Sequence, residues 1–215
     1  MAVEIALFPL NAVLFPHMPM ALHIFEERYR EMMRDCNDSG MTFGIVAIRE
    51  GLEVGAGAVP HEVGTLAQLR DVEELDDGRY NLVVVGASRF HIDSIRLRRP
   101  YLTGEVAYLE DSPATAASEA LARRVVAQFR EYILRLRALS QDDSIDLDLP
   151  DEPELLSYLV SAALQVSTAE RQRLLEIGGA DERLRACASL LRRELALLDH
   201  MLGRSAAPSP TVPLN

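Results

Sequence analysis

Side chains that could ligate a metal or act as acid–base catalysts are scattered along this 215-residue sequence. Its five histidines are His17, His23, His61, His91 and His200, without a His-x-His or HExxH pattern. Cys36 and Cys187 lie far apart and outside any CxxC motif, so we expect two small buried hydrophobic residues in a reducing compartment. Zinc sites require closely matched ligand spacing. The sequence therefore predicts no metal site, no cofactor and no catalytic residue.

Lysine is absent, since all 22 basic residues are arginine. A Walker A loop needs a lysine that contacts phosphate, and Schiff-base catalysis needs a lysine amine. We therefore expect no enzyme activity that depends on these groups, ATP hydrolysis included. The segment Gly86-Ala87-Ser88 lacks the second glycine of a nucleophile elbow and is interpreted as a bend in a strand. A hydrolase with a site of another kind stays open as one alternative.

Arg96, Arg98 and Arg99 form the densest cluster of positive charge. Guanidinium groups bind carboxylates and phosphates through paired hydrogen bonds, which makes the cluster a candidate anion-binding site. Surface ion pairing with acidic loops is the structural alternative. An RNA-binding site would normally add aromatic side chains for base stacking, and only Phe90 and Tyr101 lie near the cluster. The net charge of −11 also disfavours nucleic acid as a partner.

The proline-interrupted segment from Phe15 to Met20 is the best candidate for binding a polypeptide. Methionine side chains adapt to varied partners, and proline keeps the backbone extended, which lowers the ordering cost of binding. The predicted peptide-binding residues are Phe15, Met18 and Met20, together with Tyr101. The alternative is that Phe15 and Met20 fill the interior of a β-barrel.

A β-rich first half must position these residues. Prolines 9, 16 and 19 interrupt short apolar runs and confine the strands to edges, first positions or bulges. Apolar spacing predicts a helix over Phe25–Asn37, and Asp76-Asp77-Gly78 predicts a hairpin turn. The alternation slips at Asp93-Ser94, which predicts a bulge. Short strands at this spacing favour a small barrel.

The second half is helical. Apolar spacing predicts a helix of about 25 residues over Ala114–Leu139, helix starts at Asp151 and Ser167, and a last helix over roughly Asp181–Leu202. The loop of residues 141–151 is acidic. The predicted organisation is α+β, with a β-barrel subdomain over 1–112, a helical bundle over 113–203 and a disordered tail over 204–215.

Ordered motifs give a resemblance to a known family. The Phe-Pro segments near the N-terminus, Phe43-Gly44-Ile45-Val46, Asp77-Gly78-Arg79-Tyr80 and the helical run from Ala169 to Glu176 resemble the N-terminal domain of Lon proteases over about residues 4–202. The resemblance implies a PUA-like pseudo-barrel followed by a helical subdomain. Full-length Lon carries a nucleotide loop and a Ser–Lys dyad, and both need lysine. Because this chain has no lysine, it resembles the stand-alone bacterial Lon-domain proteins.

This resemblance implies a non-enzymatic module that holds unfolded or extended segments of client proteins, with a separate protease or ATPase as a further partner. RNA binding through Arg96, Arg98 and Arg99 is the alternative that a PUA-like barrel suggests. The N-terminus lacks a basic segment before its first apolar runs, and no run of about 18 apolar residues occurs. We therefore expect a cytoplasmic protein without a membrane partner.

Overall fold

Six strands and one inserted helix precede four consecutive helices in the computed structural model, which describes residues 3–39, 42–55, 57–140 and 148–205. The strands are β1 (Val3–Leu10), β2 (Pro19–Ile24), β3 (Thr42–Glu50), β4 (Val59–Glu74), β5 (Tyr80–Arg96) and β6 (Leu102–Leu109). The helices are α1 (Glu27–Ser39), α2 (Ala116–Ser140), α3 (Pro153–Ala163), α4 (Thr168–Glu176) and α5 (Ala180–Ser205). The predicted α+β class is confirmed.

The sheet closes into a barrel that leaves one strand outside the ring. Its strand order is β2-β5-β4-β3-β1-β6, and β6 also pairs with β5. Five strands therefore form a closed ring in which β1 and β3 are parallel and the other neighbours antiparallel. Closure removes the edges of those five strands, whereas β2 pairs only with β5 among the described strands.

Local sequence signals agree with the structure at several points. Gly78 has a φ of 76° in the β4–β5 turn, as the hairpin prediction requires, and the β5–β6 register shifts between Ile92 and Ser94, which confirms the bulge. A capping box at Ser167 begins α4. The prediction of Asp151 as a helix cap was wrong, because α3 begins after Glu152, whose side chain forms no capping hydrogen bond.

Helix α1 begins later than the apolar spacing predicts. The carbonyl oxygen of Glu26 accepts hydrogen bonds from the N–H groups of Tyr29 and Arg30, both at 3.0 Å, so the first helical turn follows Glu26. Phe25 therefore lies between β2 and α1, and its side chain is 51% exposed. Met32 and Met33 are buried on the face of α1 that packs against the strands.

The apolar core runs from the barrel into the helices. One buried cluster joins Val13, Phe15 and Ala47 of the β-rich part to side chains of α2, α3, α4 and α5. A second cluster fills the space between the strands and α1.

The predicted boundary between the two subdomains, at residues 112 and 113, stays a prediction, although the strands end before it and the last four helices begin after it. Residues 141–147 of the predicted acidic loop and 206–215 of the predicted tail lie outside the described residues.

The loop before β2 is fixed to β5 at a glycine. The N–H of His17 donates to the carbonyl oxygen of Gly86 at 2.8 Å, and the N–H of Gly86 donates to that of Met18 at 3.0 Å. A Cβ atom at Gly86 would lie only 2.2 Å from the carbonyl oxygen of Phe15. The loop can approach β5 this closely because glycine has no side chain.

We expect Gly86→Ala to lower the free energy of unfolding by about 1–3 kcal/mol, because the loop backbone must move away from the added methyl group. Urea denaturation measures this change. Gly178→Ala is the control, since a Cβ atom there meets nothing within 4 Å, and we expect a change within about 0.5 kcal/mol. Equal midpoints for both variants would contradict the proposed close approach.

Candidate functional site

An open pocket of about 430 Å³ follows strand β2. The consecutive residues Met20–Phe25 line it, together with side chains from β1, from the start of α1 and from the loop after β3. Most of its lining is apolar, with Phe8 and Leu10 from β1, Tyr29 from α1 and Val54 from the loop. We call this site the β2 pocket.

Strand alternation sets which side chains of β2 meet the apolar cluster beneath α1. Met20 and Leu22 are half-buried and pack against the cluster between the strands and α1, to which the buried Ile24 belongs. Ala21 and His23 are exposed, as expected for residues on the opposite face of the same strand. The pocket therefore combines half-buried apolar side chains with an exposed stretch of strand backbone.

The backbone edge of β2 that faces away from β5 is unpaired among the described residues. The register with β5 is continuous along β2, and the N–H of Gly86 donates to the carbonyl oxygen of Met18 just before it. Because hydrogen-bonded positions alternate in an antiparallel pair, residues 20, 22 and 24 direct their backbone groups toward β5. The N–H and C=O groups of Ala21 and His23 therefore face the open edge, where another strand could pair with them.

Polar contacts hold the loop after β3 against this site. The Glu26 carboxylate accepts hydrogen bonds from Arg28 at 3.1 Å and from the N–H of Gly55 at 3.3 Å. The Glu53 carboxylate accepts from the N–H of Asn11 at 2.9 Å, and Arg28 donates to the Glu53 carbonyl oxygen at 3.2 Å. These bonds fix two carboxylates at the rim of the β2 pocket.

Tyr29 supplies a neutral phenol to the pocket lining. Burial is the main cause that raises its pKa to about 12; the carboxylates of Glu26 and Glu53 raise it further, and Arg28 acts in the opposite direction. The hydroxyl group is therefore protonated near neutral pH. A protonated phenol can donate a hydrogen bond, which suits a carbonyl group of a bound polypeptide.

The structure separates the four residues that the sequence predicts to bind peptide. Met20 lines the β2 pocket. Phe15 is only 1% exposed and lies in the core shared with the helices, so it has no surface to offer in this conformation. Tyr101 is only 4% exposed and donates to Asp35 at 2.6 Å. Met18 is half-buried against the helical core and does not line the pocket.

The arginine cluster is largely paired with carboxylates. The ion pairs are Arg96 with Glu4 and Glu105, and Arg99 with Asp35. Arg98 is exposed and has no ion pair among the described residues. Paired guanidinium groups are less available to an anion, so the structure favours the surface-pairing interpretation over a three-arginine anion site.

The cysteines behave as buried apolar residues. Cys36 and Cys187 are both unpaired and buried, as predicted, and burial raises the pKa of each thiol to about 11. Both thiols are therefore protonated and unreactive near neutral pH. Within the described ranges, no three histidine, cysteine or acidic side chains come together to hold a metal ion, and no helix is long and apolar enough to cross a membrane.

Comparison with known proteins gives the family. The sequence model of the ATP-dependent protease La (LON) substrate-binding domain matches residues 4–193. The chain therefore belongs to the LON substrate-binding domain family, as its motifs indicate. The matched region corresponds to this domain alone, without a protease or ATPase module.

Lon proteases are among its relatives. The Lon protease of Xanthomonas oryzae is 30% identical over 196 residues, covering 89% of this chain and 23% of that protein. The Lon protease of Escherichia coli K12 is 27% identical over 201 residues, covering 91% of the chain and 25% of that protein. The chain thus spans about a quarter of the length of these relatives.

Solved structures of similar domains share the fold. The crystal structure of a Lon N-terminal domain protein from Xanthomonas campestris has a TM-score of 0.64 at 27% identity, covering 85% of this chain and 95% of its own. The N-terminal domain of the Mycobacterium avium complex Lon protease has a TM-score of 0.69 at 19% identity, covering 88% and 98% respectively. Family and fold support a substrate-recognition module, and they give no support to the RNA-binding alternative.

Proposed function

We propose that this protein binds extended, apolar segments of client proteins along the open edge of β2. The observation that carries the proposal is the backbone edge of β2, which is unpaired among the described residues and lies beside an apolar pocket. A client segment would add a strand through main-chain hydrogen bonds, while its alternate side chains enter the pocket. The proposal requires no catalytic residue, which fits a module that presents a substrate instead of cleaving it.

The pocket offers enough apolar surface for binding of moderate strength. Burying one large apolar side chain contributes roughly 1.5–3 kcal/mol, and the client can bury such side chains against Phe8, Met20 and Phe25. Binding must also offset the ordering of a flexible chain. We therefore expect micromolar dissociation constants, which correspond to about −8 kcal/mol.

Unfolded proteins are the proposed clients, because folded proteins rarely expose an apolar strand. The relatives that contain this domain are proteases, so we propose that a separate protease or ATPase receives the captured chain. The affinity for apolar segments stays the same or increases as the salt concentration rises, whereas the affinity for phosphate falls steeply. Salt dependence therefore distinguishes a protein client from RNA.

Met18, in the loop before β2, and Met20, in β2, provide a matched test. We expect Met20→Ala to weaken binding of a fluorescent, extended apolar peptide by about tenfold, because a loss of ~1.4 kcal/mol is a factor of ten. Met18→Ala should leave the affinity unchanged, since Met18 packs against the helical core instead of the pocket. Fluorescence anisotropy measures both affinities, and thermal melting shows that both variants are folded at the assay temperature.

A reversed result would contradict the site assignment. If Met18→Ala abolished peptide binding while Met20→Ala retained it, the client surface would lie at the junction with the helices. If neither substitution changed the affinity, the β2 pocket would not be the binding site. Competition by RNA that disappears at high salt would return the assignment to the exposed arginines.

A further inference from the structure

We infer that the β2 pocket selects client segments that carry a lysine or arginine beside their apolar residues. This inference rests on the proposed function and adds the chemical class of the client. It is carried by the charges at the pocket. The described residues that line the pocket include two carboxylates and no guanidinium group.

The two carboxylates differ in how far they are neutralised. Glu26 forms an ion pair with Arg28, at 3.1 Å. Glu53 is half-buried, accepts a hydrogen bond from the N–H of Asn11 and has no ion-pair partner among the described residues. Arg28 approaches the backbone carbonyl oxygen of Glu53 instead of its carboxylate. Glu53 is therefore the rim carboxylate that no ion pair among the described residues neutralises.

Further carboxylates lie on the opposite side of β2 from the open edge. The end of β2 pairs with the start of β5, where Ile24 lies opposite Tyr80. Glu73 and Glu74 end β4, Asp76 and Asp77 lie in the turn before β5, and all four are exposed. Arg79 forms an ion pair with Asp77 and contacts the His23 ring at 3.4 Å. Because β5 lies between β2 and β4, these carboxylates contribute only a long-range negative potential, and Glu53 supplies the direct contact with the client.

This charge arrangement discriminates between clients in two ways. A client lysine or arginine near Glu53 gains an ion pair with a carboxylate that is partly screened from water. A client aspartate or glutamate at the same position is repelled. Specificity commonly combines an attractive contact for the preferred partner with a repulsive contact against others. The difference in affinity between basic and acidic clients should therefore exceed the effect of either contact alone.

Three fluorescent peptides that share one apolar core test the inference, with lysine, glutamine or glutamate on both flanks. For the unmodified protein we expect affinity to fall in the order lysine, glutamine, glutamate. Replacing lysine by glutamine, and glutamine by glutamate, should each lower the affinity by about fivefold at low salt, as for a surface ion pair of ~1 kcal/mol. The differences should shrink in 1 M salt, where screening acts over ~3 Å.

Glu53→Gln identifies the residue responsible. The glutamine can still accept the hydrogen bond from Asn11, so the loop should keep its position. We expect this variant to lose most of the preference for lysine over glutamate, measured as the ratio of its affinities for those two peptides. Glu119→Gln on α2 is the control, because it changes the net charge equally but lies outside the pocket lining.

The outcomes separate this inference from the proposed function. Equal binding of all three peptides by the unmodified protein would overturn the charge preference while leaving apolar capture intact. An equal loss of preference in Glu119→Gln would also overturn it, because net charge and not Glu53 would then be responsible. Binding of none of the peptides would overturn both.

Discussion

Replacing Asp111 with asparagine is expected to lower the free energy of unfolding by about 3–5 kcal/mol, because it leaves buried positive charge without a counter-ion. Asp111 lies between β6 and α2. Its carboxylate forms ion pairs with Arg89 of β5 and, at 2.9 Å, with Arg183 of α5. It also accepts a hydrogen bond from the hydroxyl group of Tyr158 at 2.9 Å. One carboxylate thus joins the barrel to two helices.

The two guanidinium groups are almost completely removed from water. Arg89 is 2% exposed and Arg183 is 0% exposed. The guanidinium carbon of Arg183 lies 3.9 Å from the centre of the Tyr158 ring, and burial is the main cause that raises the pKa of Tyr158. Arg89 also donates to the carbonyl oxygen of Leu175. Arg183 also donates to the carbonyl oxygens of Leu174 and Ile177 and to the hydroxyl group of Ser157. Only Asp111 supplies a full negative charge to this cluster among the described residues.

Asparagine preserves the size of the side chain, so the expected loss reports charge and not packing. Chemical denaturation of Asp111→Asn, monitored by circular dichroism, measures it. Asp77→Asn is the control, because it breaks an ion pair that is largely exposed, and we expect its effect on stability to be far smaller. A loss below 1 kcal/mol at Asp111 would show that water or the backbone carbonyls already compensate the two arginines.

Local signals made much of the fold predictable. The turn at Gly78, the bulge near Ser94 and the capping box at Ser167 each depend on residues close in sequence, and each occurs as predicted. Helix α2 has 25 residues, close to the predicted length. These features follow from backbone conformation and apolar spacing, which neighbouring residues determine.

The candidate site was only partly predictable because it depends on contacts between distant segments. Phe15 and Met20 have similar sequence surroundings, yet Phe15 enters the helical core and Met20 lines the pocket. The edge position of β2 follows from ring closure between β5 and β6, which no local pattern specifies. The ion pair between Asp111 and Arg183 spans 72 residues of sequence. From their charged side chains alone, both residues would be expected at the surface.

Replacing Ala21 with proline is expected to weaken client binding by about tenfold or more while leaving the protein folded. The N–H of Ala21 faces the open edge of β2, so proline removes a donor that β5 does not use. Proline is tolerated on an edge strand where its missing N–H faces solvent. A client strand loses one main-chain hydrogen bond and meets the proline ring at the position where it would pair. The exposed side of Ala21 leaves room for that ring.

Two further substitutions make this test specific for the backbone edge. Ala21→Val keeps the N–H and should retain the affinity of the unmodified protein. Leu22→Pro removes an N–H that faces β5, and the loss of a ladder hydrogen bond together with an unpaired carbonyl group should lower the melting temperature markedly. If Ala21→Pro bound the apolar peptide as tightly as Ala21→Val, the client could not be adding a strand at this edge. Binding would then depend on the pocket side chains alone, and Met20→Ala would be the more damaging change.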